Sequence, residues 1–413
     1  MIPMLPPAER LKIISRVKAT VLRYHFNVCH VNYADWSKIV EEQRLFLLIG
    51  DDDEFENGVR KLLSELKSSH TNFYRFDTQA TLPQHAIGAT LRSVPYHGAE
   101  RWMVLDVFDG SPAAEAGIKR GQLLITLDSM LLSPPVFPVF RFGQQHRLTT
   151  ESPSESRLRE AILFVPSKKK KGGRPPLVEP RCLSLQIEGK IGILKIPFFP
   201  GAFGIQFSRL LDRTTDSLKA QGCDRLIVDL RGCLGGSLGF ARLASYLCPD
   251  RIPIGYNLSR RRLEQGYDVT QLPQVRMPSS MLGLLSCLAR FSVRDKSLML
   301  PTQGLGKQPF HGRVVLLINE WTNSAGEMLA QFAKETQAAI LIGKRTRSNV
   351  LGSRAFRVGS GYWLYVPVFG WFSPSGSCAE GSGVLPDVDL DIEPHGLASG
   401  EDCQLARAID YLR

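Results

Sequence analysis

Leu226-Ile227-Val228-Asp229-Leu230-Arg231-Gly232-Cys233-Leu234-Gly235-Gly236 carries an apolar run straight into a turn rich in glycine. A short apolar run bounded by turn residues reads as a buried strand. The paired glycines behind it let the backbone aim N–H groups at a bound atom without interference from a Cβ. Such a turn can cradle a phosphate or a developing oxyanion, or do no more than join a strand to a helix. No Gly-Lys-Ser/Thr follows, so the phosphate-loop pattern is absent. The flanking chain repeats the arrangement. Ile191–Ile196 reads as a strand, with a helix after it marked by Phe207, Leu210, Leu211 and Leu218. A helix through Ala241 to Leu247 follows the glycine turn. Val314–Ile318 reads as a third strand, with a helix opening near Ser324, and Ala339–Ile342 as a fourth. Strands alternating with helices predict an α/β fold with a largely buried sheet. The stretch from Arg251 to Arg313 breaks this rhythm and reads as an insertion.

Composition bounds the rest. With 413 residues, 43% hydrophobic and 22% charged, the chain has the proportions of a globular protein and not of a disordered or fibrous one. A net charge of +11 invites a nucleic-acid partner, but part of the excess sits in Lys168–Lys171 and Arg174, and the rest is scattered. That run reads as a solvated linker, and no nucleic-acid partner is expected. The eight cysteines form no C-x-x-C pair, which predicts reduced thiols in a reducing compartment. No apolar run approaches the roughly 18 residues of a membrane span. The opening Met1-Ile2-Pro3-Met4-Leu5-Pro6-Pro7 lacks the apolar stretch of a signal peptide. The expectation is a soluble, cytoplasmic protein.

Four segments follow. Residues 1–80 read as a helical region, from the spacing of Leu11, Ile13, Ile14, Val17 and Val21 and of Phe55, Val59, Leu62, Leu63 and Leu66, with Asp51–Asp53 at a helix start. Residues 81–165 change character: Met103–Val107 and Leu123–Leu127 look like strands around a short Ala-rich helix in Gly110–Gly117, and the part after Met130 is rich in Pro and Ser. Residues 166–180 form the basic linker, and 181–413 the α/β core.

Two further sites could carry chemistry. In Asn319-Glu320-Trp321-Thr322-Asn323-Ser324-Ala325-Gly326-Glu327 a serine stands where a strand gives way to a helix, its hydroxyl close to the helix N-terminus. The logic is that of a nucleophile elbow without the G-x-S-x-G spelling. Ser324-x-x-Glu327 is equally a capping box. In Lys67-Ser68-Ser69-His70-Thr71, His70 is a general-base candidate in a polar loop. His25, His30, His85, His97, His146, His311 and His395 stand in no comparably suggestive context, and no H-E-x-x-H or Cys/His cluster supports a metal.

Taken in order, Ser69-His70-Thr71, Ile87-Gly88-Ala89, Gly110–Gly117, Asp229-Leu230-Arg231-Gly232-x-x-Gly235-Gly236, Thr322–Glu327, Gly343-Lys344-Arg345-Thr346 and Glu380-Gly381-Ser382-Gly383-Val384-Leu385-Pro386-Asp387 resemble the C-terminal processing (tail-specific) serine peptidase family. The resemblance implies a crotonase-like αβ spiral core with a PDZ-like domain. It implies an endopeptidase that cleaves unstructured polypeptides or peptide C-termini through an acyl-enzyme, with no metal or cofactor. One branch of the family uses a Ser–Lys dyad, but Asn349 stands where that lysine would be, and Lys344 falls at a non-catalytic position. The tricorn-core branch uses an adjacent Ser-His pair and a late Glu, which Ser69, His70 and Glu380 match. By that likeness Ser324 is the nucleophile, His70 the general base, and Ser69 with Glu380 the relay that orients the imidazole. The oxyanion is held by N–H groups of Ala325 and of Gly235 or Gly236, and a peptide carboxylate by those of Ile87, Gly88 and Ala89. Within the PDZ-like unit, Gln122 replaces the motif's usual Asp, and Leu127-Asp128-Ser129 the usual Asn-Gly turn. Two other readings remain at this point: a catalytically silent peptide-binding protein, and a crotonase-like enzyme acting on thioesters.

Overall fold

The computed structural model describes residues 4–28, 30–75, 80–167, 181–201, 204–275 and 297–413. The basic run at 168–171, most of the expected linker, and the cysteines at 29 and 287 lie outside them. The chain forms two compact units that interleave along the sequence. One comprises Met1–Thr78, Ile252–Pro301 and Ser348–Gly383; the other comprises Gln79–Arg251, Thr302–Arg347 and Val384–Arg413.

In the first unit, the helices Pro7–Tyr24, Tyr33–Gln43 and Asp52–Ser64 bury one apolar stripe each. The third opens with a reciprocal capping box, in which Glu54 N donates to Asp51 Oδ1 at 2.8 Å and Asp51 N to Glu54 Oε2 at 2.9 Å. Ile13, Val17, Val21, Phe55, Val59 and Leu66 pack with Phe73, Tyr362 and Leu364 in one buried cluster. The last three belong to an antiparallel sheet ordered Asn72–Arg75, Tyr362–Phe372, Pro253–Ser259, Leu298–Pro301, with Gly352–Gly359 also paired to Tyr362–Phe372. Pro253–Ser259 and Leu298–Pro301 therefore make the supposed 251–313 insertion an integral part of this sheet. Its strands escape sequence reading because Ile254–Leu258 is buried without alternation and no helix follows to mark a β–α unit.

The second unit holds the expected α/β core. Its sheet runs Ser184–Glu188, Ile191–Lys195, Arg225–Asp229, Val314–Ile318, Ile340–Gly343, Val388–Asp389, antiparallel at the first pair and parallel thereafter. Val314–Ile318 is buried along its whole length, as a strand covered on both faces must be. Helices Ile205–Ala220, Phe240–Leu247, Ala325–Glu335 and Cys403–Leu412 accompany it. Asp387 closes the last connection, since Leu341 N donates to Asp387 Oδ2 and Asp387 N to Leu341 O.

A second, antiparallel sheet in the same unit runs Ala89–Tyr96, Ala99–Val107, Leu123–Leu127, Gln145–Ser152, Arg157–Phe164. Its last two strands lie in the segment after Met130 that shows no apolar alternation. The inward positions of Gln145–Ser152 are His146, Leu148, Thr150 and Ser152, so burial alternates there while hydrophobicity does not.

Candidate active site

The turn after Val314–Ile318 is stitched to the glycine turn after Arg225–Asp229. Gly232 N and Trp321 N both donate to Asn319 Oδ1 (3.1 and 3.0 Å), Thr322 Oγ1 donates to Leu230 O at 2.8 Å, and Asn323 N donates to Cys233 O at 2.9 Å. Between them they set Ser324 at φ +51°, ψ −113°. An ordinary N-cap lies in the β region, as Asp51 (φ −83°, ψ −178°) and Ser111 (φ −87°, ψ 160°) do here. Ser324 instead occupies a backbone conformation that L-residues avoid, and strain of that kind clusters at functional sites. The fully buried Glu327 accepts Ser324 N at 3.0 Å and Thr346 Oγ1 at 2.6 Å. The Glu half of the capping box is thus in use, yet the serine itself sits on an elbow.

Gly235 (φ +82°) and Gly236 (φ +132°) lie against this elbow and against Phe199. A Cβ on Gly235 would come within 2.7 Å of Ser324 Cβ, and one on Gly236 within 2.2 Å of Phe199 O. No other residue allows either approach. Ala325, the other expected oxyanion donor, opens the helix after Ser324 and is buried. Cys233 is fully buried, and burial pushes its thiol up to about 12, so it is an inert packing group.

Beneath the glycine turn lies an ion-pair network that the sequence does not announce. Arg231 is 1% exposed and donates to Asp229, to both carboxylate oxygens of Asp402 and to Gln404. Asp402 also accepts from Arg120 at 2.7 Å. Burial alone would raise the Asp402 carboxyl, but Arg231 and then Arg120 outweigh it and hold it far below the usual carboxylate range. Asp106, in Ala99–Val107, accepts from Lys195 Nζ at 2.8 Å, and a Cβ on Gly232 would come within 3.0 Å of it. The only sequence signal for this cluster is an arginine placed directly after a buried strand.

The first unit brings Ser69, His70 and Glu380 together. Ser69 N donates to Glu380 Oε1 at 2.7 Å, Ser69 Oγ to Glu380 Oε2 at 2.9 Å, and Ser69 Oγ lies 2.9 Å from His70 Nδ1. Val350 N also donates to Glu380 Oε2 (2.9 Å), and Ser353 Oγ to His70 O (2.7 Å). Because the Ser69 hydroxyl gives its proton to the carboxylate, it accepts from His70 Nδ1–H, which leaves the Nε2 lone pair as the basic one. Lys344 pairs with Asp389 at 2.8 Å in the second unit, and the hydrogen bond it donates to this partner raises its pKa.

The segment expected to receive a peptide carboxylate is internally bonded. Ile87 N and Gly88 N both donate to Pro83 O (2.9 and 3.1 Å), and Gly88 O accepts from Phe108 N. Ala89–Tyr96 is the terminal strand of its sheet, yet Trp321 Nε1 donates to Leu91 O at 3.1 Å, and Arg92 is paired with Glu320 and Asp391. Trp321 and Arg92 have no place among the sequence-derived site residues. Among the described residues no group of three or more His, Cys, Asp or Glu could hold a metal ion, and no helix is long and apolar enough to cross a membrane.

The elbow serine, the glycine turn and the late glutamate all fall in one matched region, since the profile of peptidase family S41 covers positions 190 to 390. Residues 190–390 match peptidase family S41. The chain is similar to a Streptomyces coelicolor protein named for its homology to tricorn protease, at 25% identity over 91% of this chain and 30% of that protein. It is also similar to the carboxyl-terminal-processing protease of a Picosynechococcus species, at 24% identity over 54% of this chain and 45% of the other. It thus spans less than half the length of either relative. The fold is similar to that of the photosystem II D1 C-terminal processing protease, with a TM-score of 0.55 at 18% identity over 93% of each chain.

Proposed function

We propose that the chain is a serine endopeptidase of the tail-specific type, with Ser324 as nucleophile and His70 as general base, acting on unstructured polypeptides or peptide C-termini. The observation that carries this reading is the continuous hydrogen-bonded run from the Glu380 carboxylate through the Ser69 hydroxyl to His70 Nδ1. Such a run fixes the imidazole tautomer and stabilises the imidazolium that forms when Nε2 takes a proton.

In the proposed reaction Ser324 Oγ attacks the scissile carbonyl carbon as its proton passes to His70 Nε2. The new C–O bond pushes the carbonyl electron pair onto oxygen. The N–H of Ala325 and that of Gly235 or Gly236 receive this oxyanion, a contribution of about 3–4 kcal/mol per donor. Collapse breaks the C–N bond, and the proton on Nε2 leaves with the amine. Water then repeats the sequence on the acyl-enzyme. The same reading includes a crotonase-like spiral core and a PDZ-like lobe over 81–165. In that lobe peptide capture exchanges the Pro83 carbonyl for a C-terminal carboxylate at the Ile87 and Gly88 N–H groups, beside Ala89. A silent binding protein is disfavoured, because it has no use for a glutamate held by three hydrogen bonds from Ser69 and Val350.

The test is covalent labelling by a fluorophosphonate probe. Wild type is expected to label and Ser324→Ala not to; equal labelling of both overturns the nucleophile assignment. His70→Ala is expected to abolish turnover and Lys344→Ala to retain it, and the reverse outcome would restore a lysine base.

A further inference from the structure

Among the seven histidines other than His70, His25 is the one the structure makes conspicuous. It follows the helix Pro7–Tyr24 directly and is completely buried, yet its ring is surrounded by hydroxyls. Nδ1 lies 2.9 Å from Tyr33 Oη and Nε2 lies 2.8 Å from Ser68 Oγ. Ser68 Oγ in turn lies 2.9 Å from Thr71 Oγ1, and Tyr33 Oη donates to His25 O at 3.1 Å. A neutral ring satisfies all four contacts: Tyr33 O–H donates to the His25 carbonyl, Nδ1–H to Tyr33 Oη, Ser68 O–H to Nε2, and Thr71 O–H to Ser68. A buried polar ring is costly wherever its nitrogens go unpaired, so a residue with no task there is more economically an apolar aromatic.

What this ring touches is the turn that carries the base. Ser68 directly precedes Ser69 and His70, and Thr71 directly follows them. The turn contains two non-glycine residues in the left-handed region, Lys67 at φ +50° and His70 at φ +54°. Residues held there persist only where the surroundings over-determine them. Glu380 and Ser353 grip the Ser69–His70 segment from one side. His25 grips both ends of the turn, through Ser68 directly and through Thr71 at one remove.

We infer that His25 is a positioning residue for His70, acting through the Ser68 hydroxyl to hold the 68–71 turn in the conformation that presents the imidazole. The inference rests on the reading of His70 as general base. The charge environment keeps His25 in the neutral form the network needs. Burial and then the Arg260 cation push it down to about 4. Arg260 stacks over Tyr33 at 5.0 Å, donates to Leu22 O and pairs with Glu264, so a positive group already faces this corner.

The test compares His25→Phe, which keeps the ring volume and removes both nitrogens, with His25→Gln, which returns one polar atom to Ser68. His25→Phe is expected to lower kcat by about 10²-fold, the scale of a small misplacement of a catalytic group, with KM little changed. The rate of fluorophosphonate labelling at Ser324 should fall in parallel, and His25→Gln should recover most of both. The Ser68→Ala loss should not multiply with that of His25→Phe in the double variant, because both remove the same connection. An unchanged kcat in a folded His25→Phe, or losses that multiply, overturns the inference. If His25→Phe does not fold, Ser68→Ala alone decides: a loss confined to kcat supports the inference, and wild-type kinetics overturn it. Wild type that labels at Ser324 while His25→Phe labels equally fast sinks only the role of His25. Labelling that persists in Ser324→Ala sinks the peptidase reading itself.

Discussion

The elbow that carries Ser324 and the turn that carries His70 share one peculiarity, a non-glycine residue in left-handed backbone, but are held there by different means. At Ser324 the grip is local: Asn319, Thr322 and Asn323 bond to a glycine turn that is itself pinned by Arg231, Glu327 takes Ser324 N, and all four lie within five residues of the serine. At His70 the grip is remote: Glu380 reaches Ser69 across 311 positions, Ser353 reaches His70 across 283, and His25 reaches Ser68 across 43. The first arrangement resembles a fixed mount, and the second depends on residues that reach it only after the chain has folded. A substitution in the first should therefore damage geometry directly, and one in the second should act through the lost hydrogen bond.

The largest expected effect breaks the fixed mount from below. Asp402→Ala takes both Asp402 contacts from the buried Arg231, leaving it Asp229 and Gln404, and removing one member of such a buried network costs up to about 3–5 kcal/mol. Urea unfolding of the variant should show that loss, and a stability unchanged from wild type would mean that the network does not anchor the glycine turn. Gly235→Ala tests the mount at its top. The added Cβ meets Ser324 Cβ at 2.7 Å and sits at φ +82°, so kcat should fall by about 10²–10³-fold, the cost of a lost oxyanion donor. A fall in stability with kcat preserved would remove Gly235 from the site.

Acid should test both arrangements together. His25 in the first unit and His85 in the second are each pushed down to about 4, by burial first and then by Arg260 and Arg347 respectively. A histidine whose folded value lies below its unfolded value of about 6.5 binds its proton mainly in the unfolded chain. Its contribution is therefore complete above pH 6.5 and is lost as the pH falls toward 4. For the fully buried His25 that is about 3 kcal/mol, with a smaller share from the partly exposed His85. Unfolding free energies measured from pH 7 to 4 should fall over this window, and His25→Gln should flatten the slope. The smallest effect sharpens the contrast by its absence. Lys344 is held at the surface by Asp389, so Lys344→Ala should leave kcat/KM unchanged, whereas any role as a base predicts its collapse.

The same contrast explains what the sequence could disclose. The α/β core was legible because each β–α unit is contiguous, and Asp229–Gly236 and Asn319–Glu327 spell out both the turn and its glycines or serine in a single run. The elbow strain at Ser324 was not legible, since Ser324-x-x-Glu327 is also the spelling of a plain cap. Ser69, His70 and Glu380 could be named only by resemblance, because nothing local links positions 311 apart. His25 is silent in the sequence for a related reason: its meaning lies in three hydroxyls contributed by other segments. The antiparallel strands Pro253–Ser259 and Gln145–Ser152 were hidden by burial that does not follow hydrophobic alternation.

The indole of Trp321 has a consequence beyond the neighbourhood of Ser324. A sheet that ends in an unguarded strand offers a template to any extended chain, including a second copy of itself. Here one of the two outermost strands, Ala89–Tyr96, has the Leu91 oxygen capped by an indole N–H and the Arg92 guanidinium anchored by two carboxylates. That border of the sheet is sealed from within, so whatever zips onto it has first to unseat a tryptophan.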